Sequence, residues 1–131
     1  MMKENNMERG LSLIQPSGRF HLGNWLGALS LWTELQQKRP GACYFGLASL
    51  HALTARPKAE DLRAAVIEGA RWLAALLEPD ACVMFDQAQV PEHTELGWLL
   101  QCMANIGELE RMTQFKDKAR ATPGASVPVG L

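Results

Sequence analysis

What this sequence has little of sets the first bounds. It holds only three cysteines, Cys43, Cys82 and Cys102. They sit in apolar surroundings, without the even count of a disulfide framework or the spacing of a zinc site, so buried free thiols in a reducing, cytosolic compartment are expected. Neither sign of charge is in excess: 13 Lys and Arg face 14 Asp and Glu. That excludes a general polyanion-binding surface and makes any nucleic-acid contact a local one. No apolar run is long enough to span a bilayer, and Met1 to Gly10 is polar and charged, unlike a signal peptide. Internal repeats and low-complexity segments are also missing. What remains is a chain of 131 residues, 47% of them apolar, enough for one core, and a soluble globular domain is expected.

Turn residues punctuate the chain into alternating short and long apolar segments. Leu11 to Ile14 is a short run that ends at Gln15-Pro16-Ser17-Gly18, a buried strand breaking into a turn. Leu22, Trp25, Leu26, Leu29, Trp32 and Leu35 then recur at helical spacing as one buried face, ending near Arg39-Pro40-Gly41. Cys43 to Leu47 reads as a second strand, followed by a loop containing Ala48, Ser49, His51 and Thr54. After Pro57, a second long helix carries Leu62, Val66, Ala70, Leu73, Leu76 and Leu77 and closes at Glu78-Pro79. Val83 to Phe85 reads as a third strand. Alternating strands and helices predict an α/β fold with a parallel sheet and right-handed crossovers, whose ligands bind at the carboxyl ends of the strands.

Beyond Pro91 the pattern changes. Leu96, Leu99, Leu100, Met103, Leu109, Met112 and Phe115 keep helical spacing around Gly107, predicting a helical hairpin over residues 91–118 inserted after the third strand. Ala119 to Pro128 has loop composition. Val127 to Leu131 turns apolar again, where a further core element is expected to begin. Trp25, Trp32, Trp72 and Trp98 lie on apolar helical stripes and are expected in the core, and the charges of Glu60 to Arg71 on a solvated face. A half-sheet of three strands has an open edge that needs cover from a partner, a second copy or further sequence.

The segment that carries chemistry is Gln15-Pro16-Ser17-Gly18-Arg19-Phe20-His21-Leu22-Gly23-Asn24, between the first strand and the first helix. A helix amino-terminus offers backbone N–H groups and a favourable dipole to phosphate oxygens. Gly23 leaves room for a nucleotide against the backbone, and His21 and Asn24, three apart, share a helical face. Taken alone, such a string reads better as a glycine-containing helix start with an N-terminal histidine.

The string resembles the class I aminoacyl-tRNA synthetase signature in its tryptophan-specific form, with asparagine in place of the last histidine. His51-Ala52-Leu53-Thr54, Gln89-Val90-Pro91-Glu92-His93 and Gly107-Glu108-Leu109-Glu110-Arg111-Met112-Thr113-Gln114-Phe115-Lys116-Asp117-Lys118 agree with that family in order and spacing, from about Leu11 to Leu131. The resemblance implies a Rossmann-like nucleotide-binding half-domain, the amino-terminal part of a synthetase catalytic domain covering residues 1–131. It implies activation of tryptophan by ATP with Mg2+, transfer to tRNA(Trp), and a homodimer formed through the insertion. By the family pattern Gln15, Pro16, Ser17, Gly23 and Asn24 contact ATP. His21, Asn24 and Lys118 are the catalytic side chains, Lys118 reaching the leaving phosphates, and Gln15 and His51 border the substrate pocket.

Three departures accompany the likeness. Leu13 stands where the family has a glycine beside tryptophan, Ser49 lies in a loop that normally carries an aspartate, and the 131 residues contain neither the indole-reading aspartate helix, nor the Gly-x-Asp-Gln loop, nor the Lys-Met-Ser-Lys-Ser loop. Lys118 alone would read as a solvated charge, and His51 reads equally as a backbone-satisfied histidine or as a ligand group. A non-catalytic nucleotide-binding module and a dimerisation module descended from the family are the alternatives.

Overall fold

The computed structural model describes residues 8–113 together with 116 and 117. Three parallel strands, β1 (Gly10–Ile14), β2 (Cys43–Leu47) and β3 (Cys82–Asp86), form one sheet in the order β1-β2-β3. The register aligns Gly10, Cys43 and Cys82 at one end and Ile14, Leu47 and Asp86 at the other. All three expected strands are present, and those read as starting at Leu11 and Val83 begin one residue earlier.

Both crossovers return on the same side. After β1 the chain forms α1 (Leu22–Asn24), a π-helical turn (Trp25–Leu29) and α2 (Ser30–Lys38). Trp32 of α2 stacks on Phe45 at 4.7 Å and donates from Nε1 to Ser12 Oγ at 3.0 Å. After β2, α4 (Ala59–Leu76) presses Gly69 so closely against Leu47 that a Cβ there would stand 2.8 Å from Leu47 Cδ2. Ser12, Phe45 and Leu47 share one face of the sheet because side chains alternate along a strand, so α2 and α4 both cover that face. Two right-handed crossovers running in one direction across the sheet produce this arrangement. The opposite face keeps Leu11 65% and Val83 45% exposed, and Leu13 lies there beside Gly46. Neither edge of the sheet is paired among the described residues.

The π turn overturns the expected helical stripe. Leu29 and Trp32 are buried, but Leu22 is 70% and Leu26 68% exposed. The Ser30 N–H reaches back five residues to the Trp25 carbonyl. This wider turn breaks the 3.6-residue phase and swings Leu22 and Leu26 off the buried row. On α4 the buried row is Ala65, Gly69 and Leu73, with Ala70 exposed. Gln36 is 2% exposed among these apolar groups. Its amide donates to the Leu76 carbonyl at 3.2 Å and its oxygen accepts the Glu78 N–H at 2.8 Å, closing the end of α4.

Other expectations are corrected. The segment after β2 is helical, α3 (Ser49–Ala52) followed by a 3-10 turn (Leu53–Ala55). The insertion breaks at Ala104 and Asn105, between α5 (Pro91–Met103) and α6 (Ile106–Leu109), and Gly107 lies inside α6. No residue of α5 is buried, so Cys102 is exposed while Cys43 and Cys82 are core thiols. Of the four tryptophans only Trp32 is core; Trp25 and Trp72 are each 37% exposed and Trp98 67%. No described helix is long and apolar enough to cross a membrane.

Candidate active site

The turn after β1 is built from local chemistry. The Ser17 N–H closes on the Gln15 carbonyl at 3.0 Å, and Gly18 has φ +127°, a conformation that side-chain-bearing residues rarely adopt. The chain then runs extended at His21, which caps the first helical turn. The Asn24 Oδ1 accepts the His21 N–H at 2.9 Å, and His21 Nδ1 accepts the Gly23 N–H at 3.1 Å. The His21 carbonyl takes the N–H groups of Asn24 and Trp25. Several first-turn amides are therefore engaged by the cap itself. What the turn offers outward is side-chain chemistry: the other ring nitrogen of His21 and the amide of Asn24.

The reason for Gly23 is also visible. A Cβ at this position would lie 2.9 Å from His21 Cε1 and 3.0 Å from Nδ1. The imidazole occupies the space beside Gly23.

Around this turn the expected residues divide among separate recesses. Gln15, Pro16 and Ser17 border a cavity of about 180 Å³ closed by Ala52, Pro57 and Leu62. His51, one residue earlier on α3, borders a different cleft of about 490 Å³, with Gln87, His93, Trp98 and Gln101. The short helix α3 thus partitions the two. A third recess, of about 620 Å³, lies between Gly18, Arg19 and the Asp61–Arg71 side of α4. His21 and Asn24 line none of these three. Lys118 lies outside the described residues.

The walls of the His51 cleft are held by named contacts. The His51 N–H donates to Gln87 Oε1 at 3.3 Å, and the buried Ser49 hydroxyl accepts the Ala88 N–H at 3.1 Å. His93 stacks on Phe85 with ring centroids 6.1 Å apart and an interplanar angle of 9°, tying the start of α5 to the end of β3. At that strand end Asp86 Oδ1 is buried with no hydrogen-bond partner. Sequence reasoning missed Gln87, Gln101 and Trp98 as cleft residues. Their signal was present only as helical spacing: Thr94, Trp98 and Gln101 recur every three or four residues on the cleft side.

A parallel sheet with a glycine-shaped turn leading from its first strand into a helix defines an α/β protein of the Rossmann-like kind. Its family follows from comparison with known proteins. Residues 3–131 match the model of the class I tRNA synthetases for tryptophan and tyrosine (W and Y), and the chain belongs to that family. It is 49% identical over 110 residues to the tryptophan–tRNA ligase of Rickettsia conorii, covering 83% of this chain and 33% of that protein. With the ligase of Clostridium tetani it shares 43% over 129 residues, 98% of this chain and 37% of that one. The structure of tryptophanyl-tRNA synthetase from Campylobacter jejuni complexed with ADP and tryptophan superimposes with a TM-score of 0.80 at 32% identity, over 93% of this chain and 37% of that chain. The chain spans about a third of the length of the curated relatives it matches.

Proposed function

We propose that these residues form the ATP-binding half of a tryptophan–tRNA ligase catalytic domain. The observation that carries the reading is the capped His21–Asn24 turn at the carboxyl end of β1, in a chain similar to a synthetase solved with ADP and tryptophan. In the reaction the tryptophan carboxylate attacks the α-phosphate of ATP, giving tryptophanyl-adenylate and pyrophosphate, and the adenylate is then transferred to tRNA(Trp). Such chemistry depends on positioning and on stabilising phosphate charge. His21 and Asn24 supply hydrogen bonds to phosphate oxygens, Gln15, Pro16 and Ser17 shape the nucleotide's floor, and Lys118 meets the leaving phosphates. The cleft of His51 serves the amino acid. Magnesium enters this reading as Mg-ATP, held on phosphate oxygens.

A homodimer through α5 belongs to the same proposal. On this helix Leu96, Leu99, Leu100 and Met103 are each at least 57% exposed and recur opposite the side that lines the His51 cleft. An apolar row of that kind fits a self-complementary contact.

Titration with Mg-ATP tests the nucleotide reading. The wild-type chain should bind, and Gly23→Val should not, because its branched side chain displaces the His21 ring. Equal affinity for both would make the turn a structural element only.

A further inference from the structure

The polar side chains of the motif turn bind one another before they meet any ligand. His21 Nδ1 accepts the Gly23 N–H, and Asn24 Oδ1 accepts the N–H of His21. A ring nitrogen that accepts a hydrogen bond carries no proton, so in the neutral imidazole the proton sits on Nε2. The Asn24 amide, with its oxygen engaged, retains two N–H donors. Gly23 guards this arrangement, since a Cβ would stand 3.0 Å from Nδ1 and push the ring away.

We infer that Gly23 and Asn24 are positioning residues that lock His21 as its Nε2–H tautomer, so that the turn presents only hydrogen-bond donors to an oxyanion. The opposite tautomer would aim a lone pair at the oxyanion and repel it. With the ring locked, no proton has to move between its nitrogens before a phosphate oxygen is bound. Asn24 then has two separable parts: its oxygen holds His21, and its nitrogen faces the ligand. That the oxyanion is a nucleotide phosphate rests on the reading above; the lock itself is a property of the free chain.

Nuclear magnetic resonance of the 131-residue chain with 15N-labelled histidine tests it, at a pH above about 8 where imidazoles are neutral. Long-range proton–nitrogen spectra separate protonated from bare ring nitrogens, and the His21→Asn variant identifies which signals belong to His21. The expected result is a protonated Nε2 and a bare Nδ1 for His21. Gly23→Ala should convert this to a mixture of tautomers. Asn24→Asp, which keeps the accepting oxygen, should retain the lock, and Asn24→Ala should weaken it. An Nδ1–H tautomer or an even mixture in the wild type would overturn the inference, as would an unchanged spectrum in Gly23→Ala. Adding Mg-ATP separates the two readings: a locked ring that does not respond would uphold the lock and defeat the nucleotide assignment.

Discussion

Two helical regions of this chain with similar apolar spacing end in opposite states. The layer formed by α2 and α4 buries Leu29 at 2%, Trp32 at 1% and Leu73 at 3% exposure, whereas in α5 Leu96, Trp98, Leu99, Leu100 and Met103 are 57–80% exposed. The difference lies in what the sheet offers. The crossover helices fall on one face and are anchored by Trp32 on Phe45 and by Gly69 against Leu47. The insertion leaves from the end of β3 and is tied back by the His93–Phe85 stack. Hydrophobic periodicity identifies a helix with an apolar face; the topology decides whether that face is covered.

The largest expected break in this comparison is Trp32→Ala. It removes the ring stacked on Phe45 and the bond to Ser12, and should cost about 3–5 kcal/mol in urea unfolding, enough to unfold a marginal domain. Next is Gln36→Ala, which leaves the Glu78 N–H and Leu76 carbonyl without their buried partner, at a cost of about 1–3 kcal/mol. The loss should appear as early exchange of the last turn of α4.

A smaller effect sharpens the contrast through pH. Burial pushes the Cys82 thiol above its ordinary value of 9.0, with the Cys43 thiol and the Glu78 carboxylate acting in the same direction. The folded thiol therefore gives up its proton less readily than the unfolded one. Its contribution to stability is fully present below 9.0 and is lost as pH rises through the higher folded value. Cys82→Ala should reduce the slope of melting temperature against pH above 9.0. The smallest stability effect is expected for Leu99→Ala, within about 0.5 kcal/mol when measured on dilute monomer. Leu99→Glu should nevertheless abolish self-association in sedimentation. A wild-type chain that stays monomeric at all concentrations would contradict the proposed dimer.

These contrasts also show which parts of the molecule were legible in its residues. The three strands were legible because each is a short apolar run bounded by Gly, Pro or polar turn residues. The motif turn was legible because Gly18 and Gly23 announce local geometry. The π turn was not: Leu22, Trp25 and Leu26 fit an α-helical stripe, and only a single hydrogen-bond shift moves Leu22 and Leu26 into solvent. Gln36 drew no notice in the sequence, since its partners are 40 and 42 positions away. The partition of Gln15 and His51 between separate recesses depends on α3, which read as a loop. Gly23 was singled out as leaving room for a nucleotide, but the space beside it is taken by His21's own ring.

In the proposed function the nucleotide binds at the capped turn rather than at the insertion. Hydrogen exchange of the chain with and without Mg-ATP measures this directly. Slower exchange confined to Gln15–Asn24, and lost in Gly23→Val, is the result the account predicts. Unchanged exchange in that segment, or protection only along α5, would contradict it.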